Sequence, residues 1–360
     1  MSLTQSLSRG ILRSPALAAL TSPHGVDRYL EVVNPMWAVN EVRARVVQVH
    51  QETDDVTTLT LRPTNTWRGF RAGQHVLLGV EIDGSRRTRC FSISSAESPV
   101  AEKSDFTITV RGHDEGLVSK HLARRAEPGL VVHLSQAEGE FTLPVNSPDR
   151  LLMISGGSGI TPVMSMLRTL VETGYAGHVT FLHYSQSPER TIFADELAEI
   201  ADQQDNIDLT VVHTRRGGQR FDEAQLKALA PDYAATDTFA CGPAGLVKQV
   251  QEIYEGNDRL KVEYFKTSTI NTDLNETTGN VSFAASGKQA ENTGATLLEQ
   301  AEALGLAPAF GCRMGVCFTC TSRKTEGTVR NVVTGVESSL PDEEIQICVS
   351  TPVGDCVVAV

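Results

Sequence analysis

The sequence has no run of 18 or more apolar residues, and its early apolar stretch, Ile11 to Leu20, is broken by Arg13 and Pro15. A membrane-spanning helix is therefore not expected, and the chain reads as soluble. It also lacks an excess of positive charge. Its 44 Asp and Glu outnumber 32 Lys and Arg, for a formal net charge of −12, which argues against nucleic acid and leaves room for an acidic docking face toward a basic protein. Seven cysteines are an odd number, ill suited to a disulfide framework. A reducing, cytoplasmic compartment is expected. No cluster of His and carboxylates of the facial-triad or di-iron kind stands out, so any oxidation of an organic substrate should occur on another protein.

What is present begins with the stretch Phe310 to Cys320, FGCRMGVCFTC. It holds Cys312, Cys317 and Cys320 in the spacing C-x4-C-x2-C, and Cys348 follows after 27 intervening residues. That is the plant-type 2Fe-2S pattern. Each iron takes two thiolates, and the small residues Gly311, Gly315 and Thr319 let backbone N–H groups turn toward the sulfides. A structural zinc site usually pairs two C-x2-C hooks, and here only Cys317 and Cys320 form one. The four expected metal ligands are Cys312, Cys317, Cys320 and Cys348.

A chain of 360 residues, 40% hydrophobic, can bury two or three cores. Residues 1–40 read as an N-terminal extension. Leu3, Leu7 and Ile11 recur at helical spacing beside Arg9 and Arg13, a short basic amphipathic segment that offers a peripheral membrane or partner contact. Tyr29 and Trp37 are expected to pack on the next domain. Residues 41–147 carry six short alternating runs between Gly, Pro and Asp turns, which predicts a small antiparallel β-barrel. Residues 148–268 alternate strand and helix and predict a doubly wound α/β domain. Residues 269–278 lie in a polar linker. Residues 279–360 give a strand, a helix over Thr296 to Leu304, the cysteine loop, and strands over Gln346 to Val349 and Cys356 to Val360.

Four further motifs lie on this frame. Arg89-Cys90-Phe91-Ser92 falls on a barrel strand. Gly116-Leu117-Val118-Ser119 opens a helical run, and a helix start offers unpaired N–H groups and positive potential to a pyrophosphate. The first strand of the α/β region runs into Gly156-Gly157-Ser158-Gly159-Ile160-Thr161-Pro162, whose glycines permit a tight turn and close approach of a phosphate, although the spacing is not G-x-G-x-x-G. Cys241-Gly242-Pro243 follows a later strand. Taken singly, these could be a glycine cap, a buried small residue or a plain strand end.

Together the motifs resemble the ferredoxin-NAD(P) reductase superfamily with a C-terminal plant-type 2Fe-2S ferredoxin domain, over about residues 41–360. The resemblance implies a multidomain chain: a flavin-binding barrel, a nucleotide domain and a β-grasp ferredoxin domain. In the family's R-x-Y/F-S motif the Arg pairs with flavin phosphates, the aromatic stacks on the flavin and the Ser lies near its redox nitrogen. These roles fall on Arg89, Phe91 and Ser92, with Phe in place of the usual Tyr removing one hydroxyl contact. Gly116 to Ser119 resembles the phosphate-binding helix start, and Gly139-Glu140-Phe141 fits the same pattern. Gly156 to Pro162 resembles the family's NAD(P)H loop. Cys241, in C-G-P with Gly242 and Pro243, would lie beside the nicotinamide, and Phe265 in Glu263-Tyr264-Phe265 near the flavin.

The domain order resembles the reductase components of bacterial oxygenases and desaturases, such as phenylacetyl-CoA epoxidase reductase, ketosteroid hydroxylase reductase and the electron-transfer partner of stearoyl-CoA desaturases. Tyr29, Pro35 and Trp37 look nearest to the last. The implied activity is an NAD(P)H-dependent oxidoreductase whose electrons go to a separate oxygenase or membrane desaturase. A ferredoxin-like carrier and a flavin or quinone reductase are the alternatives. A nicotinamide gives up two electrons at once and a 2Fe-2S cluster takes one, so a flavin is needed between them. FAD is expected over FMN, because the Gly116 helix start adds a phosphate site to Arg89. After Tyr184, Ser185 and Arg190 favour NADPH over NADH, with Glu189 opposing.

Overall fold

The computed structural model describes residues 26–98, 104–113, 116–215, 217–264, 278–311, 315, 318–332 and 335–360. The expected site residues Cys312, Cys317 and Phe265, and the segment with Leu3, Leu7 and Ile11, lie outside these. Two compact units emerge, one ending at Gly242 with Gln249–Glu263 added, the other formed by Pro243–Lys248 and Tyr264–Val360. Among the described residues no helix is long and apolar enough to cross a membrane.

The first unit opens with helix α1 (Val26–Val33). Its attachment corrects an expectation. Tyr29 and Trp37 do not pack inward but are each 51% exposed, and Val32 and Val33 are also exposed. The anchor is polar instead. Asp27 is buried and its carboxylate accepts the backbone N–H groups of Val39 (2.6 Å), Asn40 (2.9 Å) and Glu41 (2.9 Å). Arg43, only 1% exposed, pairs with Glu31 and Glu41, both at 2.9 Å, and donates to the Pro35 carbonyl. Arg43 is buried although the Glu41 carboxylate is 44% exposed, so loss of its carboxylates would leave a buried cation under-paired, and the helix is held by polar contacts.

The barrel-like sheet comprises β1 (Val42–Thr53), β2 (Val56–Pro63), β3 (His75–Ile82), β4 (Ser85–Ser92), β5 (Phe106–Arg111) and β6 (Val131–Leu134), in the order β4-β3-β6-β1-β2-β5. Neighbouring strands of this sheet pair antiparallel throughout. It curls until Ile93, just past β4, bridges to Ile108 of β5. Leu59, Leu61, Val76, Leu78, Ile93 and Ile108 fill the interior, with Trp67 stacked on Phe106 at 4.9 Å. Helix α2 (Leu117–Arg125) covers the sheet with Val118 and Leu122, and Thr57 Oγ1 donates to the Ala123 carbonyl at 2.8 Å.

The α/β part of this unit has strands β7 (Arg150–Gly156), β8 (His178–Ser185), β9 (Ile207–His213), β10 (Asp237–Gly242) and β11 (Leu260–Tyr264), in the order β11-β10-β7-β8-β9. The pairs β10–β7, β7–β8 and β8–β9 are parallel. Helices α3 (Ile160–Glu172), α4 (Ala194–Gln203), α5 (Glu223–Leu229) and α6 (Ala244–Ile253) alternate with them. All of β7 beyond Arg150 is buried, as expected of a strand covered on both faces. The chain leaves β7 toward β8 on one side, and β10 lies on the other. Such a switch in strand order opens a ligand crevice at the carboxyl ends of those strands. Helix α5 escaped the sequence reading; it starts at Asp222, whose side chain accepts the Gln225 N–H at 2.8 Å.

The second unit is a β-grasp. Strands β12 (Asn280–Phe283), β13 (Lys288–Glu291), β14 (Thr321–Asn331), β15 (Glu337–Ser338) and β17 (Ser350–Val358) lie in the order β13-β12-β17-β14-β15, and β16 (Glu343–Gln346) pairs with β14. Helix α7 (Leu297–Ala303) begins with a reciprocal cap between Thr296 and Glu299 and buries Leu297, Leu298 and Ala301. Two strand expectations change here. Of Gln346 to Val349 only Gln346 is strand, the last residue of β16, and 347–349 form the turn before β17; the final strand begins at Ser350 rather than Cys356. The longest strand of this unit, β14, went unread because its sequence, TSRKTEGTVRN, shows no apolar alternation. Its Lys324 is wholly buried, and its ammonium group is satisfied by the carbonyls of Gly327 (2.9 Å) and Leu340 (2.5 Å).

Candidate functional site

At the crevice, four side chains from distant parts of the chain converge. His75 and Ser92 are register partners on β3 and β4. Ser92 Oγ lies 3.4 Å from Glu263 Oε2, across 171 positions of sequence, and His75 Nδ1 lies 3.5 Å from Glu263 Oε1. All three residues are buried. Burial, with the Glu263 charge adding to it, holds the Cys241 thiol well above the usual cysteine range, so it stays protonated. Both ring nitrogens of His75 are buried and have no hydrogen-bond partner among the described residues. Buried polar atoms left open are costly, and they suit a ligand that brings its own polar edge. Ser92 and Cys241 are named by the sequence motifs; His75 is not, and the contacts of Glu263 with Ser92 and His75 emerge only in the fold.

Phe91 lies half-buried against the barrel core. Arg89 is half-buried, and one of its guanidinium nitrogens donates to the Thr88 carbonyl at 2.8 Å. Gly116 is the cap of α2 and supplies no side-chain cap to the N–H groups of Leu117, Val118 and Ser119. These are open to a phosphate. Leu117 is exposed and Val118 buried, while Ser119 Oγ lies 3.5 Å from the Gly116 carbonyl.

The nucleotide loop follows β7 as a single 3₁₀ turn, Gly157–Gly159, and runs directly into α3. Gly157 has φ 53, a left-handed value that suits glycine. At Gly159 a Cβ would stand 2.4 Å from the Cys241 carbonyl oxygen and 2.5 Å from Gly242 Cα, so only glycine lets this loop abut the end of β10. Thr161 Oγ1 donates to the Ser158 carbonyl at 3.1 Å. Ile160, Thr161 and Pro162 are buried, and Pro243 starts the turn that leads into α6.

Over the loop stands a cation that sequence reading missed. Arg111 Nη1 lies 3.2 Å from where a Gly157 Cβ would be. Its Nε faces Asp55 Oδ2 at 3.4 Å without forming a hydrogen bond. Burial lowers the guanidinium from its ordinary value, with Asp55 opposing and Arg190 reinforcing the drop. An under-neutralised arginine at a glycine turn is built for a phosphate. Beneath it His183, fully buried, is pushed down to about 3 by burial and then by Arg111. It is therefore neutral and shares a 2.8 Å hydrogen bond with Ser155 Oγ.

The ribose rim differs from the sequence expectation. Ser185 is buried; its hydroxyl donates to the Ser187 carbonyl (2.9 Å) and bonds Thr191 Oγ1 (2.8 Å), so it closes the turn after β8. Arg190 is half exposed and pairs with Asp55 at 3.3 Å. The loop after β9 lies alongside, Thr214 and Arg215 donating their N–H groups to the carbonyls of Ser185 and Gln186. Arg215 is exposed. An open cleft of about 470 Å³, lined in part by Pro144, Asp237, Phe239 and Lys261, lies by the opposite end of β10 and takes no part.

In the β-grasp unit, Cys320 and Cys348 are both buried, at 2% and 4% exposure. Gln346 Nε2 donates to the Gly315 carbonyl at 2.8 Å, tying the cysteine loop to β16. Between Cys317 and Cys320 in the sequence, Phe318 adopts φ 55, which costs a non-glycine residue about 1–2 kcal/mol.

The parts of this site recur in known proteins. Residues 43–143 match the oxidoreductase FAD-binding domain, residues 153–252 the oxidoreductase NAD-binding domain, and residues 284–353 the 2Fe-2S iron-sulfur cluster binding domain. An NADPH oxidoreductase of Mycobacterium tuberculosis is 37% identical over 94% of this chain and 90% of its own length. The glycine betaine monooxygenase reductase subunit of Pseudomonas aeruginosa is 31% identical over 91% and 97%. Phthalate dioxygenase reductase shares the fold with a TM-score of 0.63 at 22% identity, over 88% of this chain and 97% of that one. A barrel, a doubly wound sheet and a β-grasp carrying these motifs in this order, with relatives that align over nearly their full length, place the chain in the family of FAD-, NAD- and 2Fe-2S-binding oxidoreductases that includes oxygenase reductase components.

Proposed function

We propose that this chain oxidises NADPH and delivers the electrons singly to a separate oxygenase. The observation that carries the reading is the meeting of Ser92, His75, Glu263 and Cys241 at the switch point of the nucleotide sheet. The open N–H groups of α2 and the orphan nitrogens of His75 suit a flavin, and the buried Cys320 and Cys348 suit a cluster. A bound flavin would supply the exchange between a two-electron donor and a one-electron acceptor. The glycine turn and Arg111 would receive the dinucleotide phosphates. Cys241, held as the neutral thiol, keeps charge away from the nicotinamide's place. The proton left over when electrons depart singly has a route from Ser92 Oγ to Glu263 Oε2, with His75 Nδ1 beside Oε1.

Alignment over nearly the full length of relatives named as monooxygenase reductase subunits supports an oxygenase as acceptor. A membrane desaturase is the second reading, favoured by the exposed Tyr29, Val32, Val33 and Trp37 on the outer side of α1 and the turn after it.

Four outcomes test this account. Cys320→Ser should keep NADPH-dependent ferricyanide reduction, which draws on the flavin, and lose nearly all cytochrome c reduction; equal loss of both would refute the division of labour. Glu263→Gln should lower ferricyanide turnover on the order of 10²-fold at unchanged flavin content, and normal turnover would remove Glu263 from the proton route. Arg215→Ala should raise the KM for NADPH about tenfold, the size of a surface phosphate contact, while leaving NADH alone; an equal rise for both nucleotides would count against a 2′-phosphate site. For the desaturase reading, the chain should sediment with anionic vesicles, and the double replacement Tyr29→Ser with Trp37→Ser should stay in the supernatant. A wild-type chain that never sediments removes that reading.

A further inference from the structure

Phe318 follows Cys317 and precedes Cys320 by two positions, so it sits within the stretch that the 2Fe-2S motif assigns to the metal. It is 68% exposed and its φ is 55. A lone exposed apolar residue needs no explanation, and left-handed backbone is ordinary at glycine or asparagine. Here both burdens fall on one residue, and neither helps the fold. The backbone is fixed as well, because the Phe318 carbonyl accepts the Thr321 N–H at 3.0 Å and the Thr321 hydroxyl at 2.7 Å. A glycine would satisfy the turn without strain. The phenyl ring therefore serves something outside the chain.

The surroundings say what that is. Thr321 pairs with Gln346, whose side chain holds Gly315, and two positions on Arg323 pairs with Glu344. Arg323 is ion-paired to Asp342 at 2.9 Å, and Glu343 faces the buried Lys324 at 3.7 Å. This leaves Glu344 exposed and the rim acidic on balance. The whole segment 279–360 has nine Asp and Glu against five Lys and Arg. Binding hot spots are typically aromatic anchors inside a polar rim, and complementary charge steers the encounter.

We infer that Phe318 is the docking anchor of the ferredoxin domain, seated in an apolar hollow of a protein electron acceptor whose rim is basic. The inference rests on the functional reading above and adds the surface through which electrons leave. Per NADPH oxidised to NADP⁺ and a proton, two electrons depart here one at a time, each reducing one ferric acceptor to ferrous. The acidic rim repels an anionic lipid surface, so the occupant is a protein.

The test uses the full-length holoenzyme with cytochrome c, a basic protein, as probe. Phe318→Gly keeps the left-handed turn and removes the ring. It should raise the KM for cytochrome c about tenfold, as loss of one hot-spot side chain does. Ferricyanide reduction and the visible absorbance of the cluster should be unchanged, and Phe318→Trp should behave as wild type. Wild-type kinetics toward cytochrome c in Phe318→Gly would overturn the assignment. Loss of cluster absorbance in that variant would overturn it too, by making the ring a shield for the metal, and so would wild-type binding to anionic vesicles that Phe318→Gly abolishes. A Cys320→Ser chain that still reduces cytochrome c would defeat the underlying functional reading instead, since electrons would then leave from the flavin.

Discussion

The buried carboxylate of Glu263 is the constraint to which the rest of the first unit answers. It stands at the end of the edge strand of the nucleotide sheet, yet both its oxygens face groups from the barrel, Ser92 and His75. A carboxylate taken out of water needs partners. The barrel and the α/β sheet therefore cannot drift apart without stranding a charge. The same carboxylate meets the serine of the R-x-F-S strand and acts on the buried thiol of the C-G-P turn, so one charge links β4 to the end of β10. Packing tolerance vanishes next door, where Gly159 touches the end of β10 with no room for a methyl group.

Polar anchors do similar work elsewhere. Arg43 and Asp27 hold α1 where apolar side chains were expected to, and Lys324 ties Gly327 of β14 to Leu340, past β15, by their carbonyls. Buried charges with all their partners in place select one arrangement over its near neighbours. The apolar side chains of α1 are thus left on the outside without loss of attachment.

Legibility from sequence followed the range of the interactions. The glycine loop, the R-x-F-S strand and the cysteine spacing are local, each a few residues long, and they led to the three domains and their order. The contact of His75 with Glu263 was invisible because the two become neighbours only after β3 and β11 are laid down by separate sheets. Arg111 was hidden for a like reason, as the last residue of an ordinary barrel strand. Ser185 misled because hydroxyls serve turns as readily as phosphates, and here it closes one. Strand β14 was missed because its buried lysine breaks the alternation on which strand reading depends, and Tyr29 and Trp37 stay half exposed because polar contacts of Asp27 and Arg43 attach the segment.

The cysteine loop is braced from outside itself: Gln346 reaches across from β16 to the Gly315 carbonyl, and Cys348 sits in the short turn between β16 and β17. Gly315 and Cys348 are thereby fastened to a hydrogen-bonded sheet. A site whose surroundings are already arranged has little left to rearrange when its charge changes. A cluster bound beside Gly315 and Cys348 would meet surroundings already in place, which would keep its reorganisation energy low and leave the departure rate to the partner's approach.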